Sequence, residues 1–97
     1  MFTLDELFNL AQKDQFNYLL VFFTENGEIY DALAFDLLQP LLIEIINNYL
    51  SLVEKLNEKI VVKFYKVSTR QEVKITQIPI YIPNDSTSQT QMRRGYL

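Results

Sequence analysis

The side chains that could hold or move a proton in this chain are almost all carboxylates. Its 97 residues include twelve Asp and Glu but no His and no Cys. Asp5/Glu6, Glu25/Glu28 and Asp31/Asp36 are close enough in sequence to be weighed as acid–base or metal-binding pairs. None stands in a polar constellation with His or Asn that would tune a proton transfer or complete a coordination shell, so solvated charge accounts for them. A thiolate nucleophile, a disulfide, a Cys/His zinc site and a His general base are excluded by residue type alone. No catalytic residue, cofactor or metal is therefore expected, and the chain is read as not an enzyme.

Lys63-Phe64-Tyr65-Lys66 interleaves bases with aromatics, as single-strand nucleic-acid binders do. A half-buried strand produces the same pattern. Charge is unevenly spread: residues 1–54 sum to −8 and residues 55–97 to +5, for a net −3. Once two halves interleave in a compact domain, such asymmetry becomes ordinary solvated faces, and the net acidity argues against a dedicated nucleic-acid binder.

The elements that must position these residues follow from periodicity. Thr3 and Glu6 form a capping-box pattern, and Leu4, Leu7, Phe8 and Ala11 fall on one stripe, which predicts a helix from Thr3 to about Lys13. The run Phe16 to Thr24, apolar on both faces from residue 18, predicts a central strand covered on both sides, of the kind found in parallel sheets. Asn26-Gly27 marks a turn. From Tyr30 or Asp31 to about Asn57 a broad apolar band predicts one long helix, kinked near residues 36–40 by Pro40 and covered on much of its circumference. Lys59 to Val67 reads as a second strand, nearer an edge because of its lysines. A short link over 68–74, a third strand through Pro79 to Ile82, a polar hairpin loop over 83–90 and a fourth strand over 90–97 complete one domain over residues 1–97.

This order resembles the thioredoxin-like fold. Leu19-Leu20-Val21-Phe22-Phe23-Thr24 looks like that family's central strand, and Asp31 to Tyr49 is similar to its W-C-G-P-C-K-x-x-x-P-x-x-x-E-x-x-x-x-Y helix, with Pro40, Glu44 and Tyr49 in step. Val73 to Pro79 is similar to the family's approach to its cis-proline. The resemblance implies a three-layer α/β fold, with an about four-stranded mixed sheet and helices on its faces. It also implies that the first strand and the C-terminal helix are missing. The two redox cysteines would fall at Ala32 and Phe35, so the implied module is redox-inactive.

By the same resemblance, Tyr30, Asp31, Ala32, Phe35, Ile78 and Pro79 would line a groove for an extended polypeptide. Loss of the first strand would leave Lys59, Val61, Lys63 and Tyr65 on an open edge, available to a protein partner or a homodimer. Two alternatives stand beside this: a glutathione-like ligand domain with Tyr30 or Ser68 as thiol-activating hydroxyl, and a nucleic-acid-associated protein using the basic 59–74 stretch. With acids where a signal peptide is basic and no apolar run of about 20 residues, a cytoplasmic location is expected, with no membrane contact. The abundance of Ile, Asn and Gln suggests an AT-rich genome of the kind viruses and plasmids carry.

Overall fold

A computed structural model describes residues 2–81. Its first helix, α1 (Leu4–Lys13), starts where the local chemistry requires. Thr3 Oγ1 accepts from the Glu6 amide at 3.2 Å and the Glu6 carboxylate accepts from the Thr3 amide at 3.1 Å. Two of the four orphan amides of the first turn are satisfied this way. The helix ends at Asp14, and Gln15 turns the chain with φ 63°.

Strand β1 (Tyr18–Thr24) is central and covered on both faces, as its composition implies. Its neighbours are antiparallel, however, so the sheet formed by the four strands is antiparallel rather than mixed. The cause is the segment that follows. The Thr24–Glu28 turn closes with the Gly27 amide on the Thr24 carbonyl at 2.9 Å and the Thr24 amide on the Glu28 carbonyl at 2.8 Å. Gly27 sits at φ +84°, a conformation that costs glycine nothing. The chain folds straight back as β2 (Ile29–Phe35), where a long helix is expected from the spacing of its leucines.

The helix α2 (Pro40–Lys55) begins only at Pro40, which occupies its first turn instead of kinking its middle. Gln39 before it is extended, at φ −116° and ψ 152°. A residue preceding proline is sterically disfavoured in the helical region, so no continuous helix can pass from Asp36 into Pro40 without strain. Strand β3 (Ile60–Lys66) then pairs along its whole length with β1, and β4 (Gln71–Val73) pairs with Phe64 to Lys66, giving the order β2-β1-β3-β4. The link over 68–74 is thus a hairpin, turned by Arg70 at φ 57°.

The third strand expected through Pro79 is reduced to a 3₁₀ turn over Ile75–Gln77 and one parallel bridge between Leu38 and Ile80. The hairpin loop expected over 83–90 and the strand over 90–97 lie outside the described residues.

The result is a three-layer α/β arrangement with one helix per face. Under α1, residues Leu7, Phe8 and Ala11 pack on Leu19, Val21 and Ala34. Under α2, residues Leu42 and Ile46 pack on Leu20, Phe22, Leu33 and Phe35. The leucine, isoleucine and phenylalanine side chains that hold both helices are each worth about 1.5–3 kcal/mol on full burial.

Candidate functional site

The apolar band on α2 is wider than the sheet beneath it. Leu42, Ile46 and Val53 are buried, yet Leu41, Leu52 and the capping residue Leu56 remain 53, 57 and 58% exposed. At helical spacing, Leu41, Ile45, Asn48 and Leu52 form one uncharged stripe along a flank of the helix.

Tyr49 fixes which way that stripe points. It lies next to Ile45 and Leu52 on the helix surface, and its ring touches Phe22 of β1 at 4.4 Å and Tyr30 of β2 at 6.0 Å. The stripe therefore flanks β2. Tyr30 reaches this side because of a bulge: Phe22 pairs with Asp31 and Phe23 with Ile29, leaving Tyr30 unpaired between them. It is 42% exposed. Asp31 accepts from the Ala32 amide at 2.8 Å.

Burial pushes the Tyr49 hydroxyl well above the ordinary tyrosine range, and the negative charge of Asp31 adds to the shift. Tyr65, buried against α1 with its ring edge-on to Phe8 at 5.4 Å, is raised too, by burial and then by Glu72. Because the folded value exceeds the unfolded one, the stability contributed by protonated Tyr49 is complete below about pH 10 and is lost as pH rises through the folded value. Tyr49→Phe is expected to flatten the alkaline decline of stability. Denaturant midpoints above and below pH 10 check this, and an unchanged slope would contradict it.

Among the described residues β2 has a partner strand on one side only, yet Ala32 to Phe35 are 0–3% exposed, so the strand backbone there is not open to solvent and only Tyr30 at its start is well exposed. The other edge is blunted: β4 has three residues, and Lys63 beside it pairs with Glu72 at 3.9 Å. Of the residues expected on an open edge, Lys59, Val61, Lys63 and Tyr65 belong to or border an interior strand, since β3 lies between β1 and β4. Only its first half, before Phe64, lacks a partner strand on the outer side among the described residues. Tyr65 is buried, and Val61 is 47% exposed beyond the end of α1.

The groove residues expected from the resemblance are not gathered in one place. Tyr30 and Asp31 sit at one end of β2 beside Tyr49, and Phe35 ends the strand in the α2 core, stacked on Tyr18 at 5.8 Å. Five residues of extended chain separate Tyr30 from Phe35 by roughly 16 Å. Ala32 is buried on the opposite face under α1, and Ile78 is buried in the α2 core. Pro79 follows a trans bond, no peptide bond among the described residues being cis. It lines a separate cleft of about 480 Å³ at the far end of the sheet, with Phe16, Tyr18, Asp36, Lys66 and Ser68. Tyr30 and Ser68 thus lie at different openings.

The basic 59–74 stretch is dispersed. Lys59 pairs with Glu25 at 3.9 Å, and Arg70 pairs with Asp5 at 3.5 Å and lies over the Phe8 ring. No cluster of three or more potential metal ligands occurs among the described residues, and no helix among them is long and apolar enough to cross a membrane.

Residue types alone do not reveal the Tyr30 bulge, which exists only once the hairpin forms. The excess width of the α2 band is the one sequence signal of the exposed face. Comparison of the chain with protein-family models, with curated proteins and with solved structures finds no match.

Proposed function

We propose that this chain is a redox-inactive protein-interaction module that binds a partner polypeptide or itself, acts without catalysis and resides in the cytoplasm. One observation carries the proposal. A half-exposed tyrosine and an uncharged leucine stripe lie side by side, joined by the Tyr30–Tyr49 contact. Tyr30 supplies an aromatic ring with a polar tip and the stripe supplies apolar area, which together make a recognition surface.

The thioredoxin-like part of the proposal has narrower support. Pro40, Glu44 and Tyr49 do share one helix, and the helices do cover both sheet faces, but the antiparallel strands and the strand at 29–35 follow a different order. The interaction function rests on the face itself.

Immobilised protein should capture a partner from a lysate of its source cells, and Tyr30→Ala or Leu52→Glu should abolish that capture while the fold survives. Capture unchanged by both substitutions would place the working surface elsewhere.

A further inference from the structure

We infer that the exposed flank of α2 is the contact between two copies of this chain, packed helix against helix, antiparallel, about a two-fold axis beside Asn48. The inference rests on the interaction-module function and names its partner as the chain itself.

The seam is spaced for a helix. Leu41, Ile45, Asn48 and Leu52 follow one another in alternating steps of four and three, the rhythm by which one helix packs along another. Leu42, Ile46 and Val53 already anchor α2 to its own sheet, so the fold does not call on Leu41, Leu52 or the capping Leu56, each more than half exposed.

Three features make a second copy the occupant. The first is register. In an antiparallel pair about a two-fold axis, setting Leu41 opposite the partner's Leu56 also sets Ile45 opposite the partner's Leu52, so a single register covers the seam with apolar contacts from end to end. The axis then passes between Asn48 and Tyr49, and each Asn48 meets its own copy. A carboxamide is both donor and acceptor, so the two can exchange hydrogen bonds, and a polar residue at one seam position fixes register and the number of helices.

The second is charge. At 3.6 residues per turn, Glu44 and Lys55 fall on the same side of the seam, away from Tyr49. A two-fold axis perpendicular to the helices keeps like sides together, which brings Glu44 of one copy to within roughly 3 Å, along the helix, of the level of the partner's Lys55. Within one chain the two lie about three turns, roughly 16 Å, apart. Neither joins an ion pair among the described residues.

The third is area. The three exposed leucines present on the order of 300 Å² of apolar surface, a size at which a patch on a monomer is commonly functional. That is under half of the ~800 Å² per partner of a standard interface, so the dimer is of the weak, concentration-dependent kind.

Sedimentation equilibrium on the purified full chain, from micromolar to millimolar, tests this. The wild type should associate reversibly to a dimer within that range, and Leu52→Glu should leave it monomeric throughout, since two glutamates then enter the apolar seam. Glu44→Lys alone should weaken association about tenfold by bringing like charges together, and Glu44→Lys/Lys55→Glu should restore it, a rescue that only a contact between chains can produce. All three positions are exposed, and circular dichroism verifies that the variants are folded. Should Leu52→Glu not fold, the charge reversal decides alone. A wild-type monomer throughout, a dimer unmoved by Leu52→Glu or by Glu44→Lys, or a loss with Glu44→Lys that Lys55→Glu does not restore overturns the inference. A monomer whose partner capture still depends on Leu52 removes self-pairing alone, and a monomer that captures nothing removes the interaction module as well.

Discussion

Ala34→Asp is expected to lower the free energy of unfolding by about 3–5 kcal/mol, the usual cost of an uncompensated buried charge. Ala34 is fully buried on β2, under α1, against Leu19 and Val21, with no polar group among its core neighbours apart from the Tyr65 hydroxyl. A domain of this size has 5–15 kcal/mol in all, so much of that reserve disappears. In a helix running from Asp31 through Pro40, Ala34 would share the stripe of Leu37, Leu38 and Leu41, so the substitution tests the burial of residue 34 itself. Urea denaturation measures the loss, and a near-neutral result would contradict the packing of β2 under α1.

Phe22→Ala should cost a similar 3–5 kcal/mol through lost burial and the cavity left behind. Phe22 is 1% exposed at the centre of the α2 core, and its ring supports Tyr49, which in turn holds Tyr30 at the edge of the proposed interface. The same substitution should therefore weaken partner binding as well as stability. Leu52→Ala makes the contrast: 57% exposed, it should change monomer stability by under about 0.5 kcal/mol while reducing binding. Parallel loss of stability in both variants would mean that Leu52 is packed within its own chain.

The parts of the fold that were legible in the sequence are those decided locally. The Thr3–Glu6 box and the Leu4, Leu7, Phe8, Ala11 stripe specify α1 without help from the rest of the chain, and β1 and β3 carry enough β-branched and aromatic residues to be strands anywhere. Residues 29–35 differ, because their identities compete. Ala and Leu favour helix, and Leu33, Leu37 and Leu41 fall at helical spacing, but Gly27 closes a hairpin and Pro40 keeps Gln39 extended. Both opposing signals were present in the sequence; pairing with the already formed β1 strand is what makes them prevail. The resemblance to a redox helix inherited that error, which is why Ala32 and Phe35, its expected cysteine positions, point into opposite cores.

The candidate site was legible only in half. An apolar band on α2 too wide for one sheet can be counted from the residues between Leu41 and Leu56. That β2 lies beside it and turns Tyr30 outward through a bulge depends on strand order, which no local pattern encodes.

Partner capture by immobilised protein, compared between the wild type and Leu41→Glu/Leu52→Glu, tests the central claim most directly. The double variant should keep its fold by circular dichroism and lose the partner, because both leucines are more than half exposed on the proposed surface. Capture unchanged in a folded double variant would contradict the account.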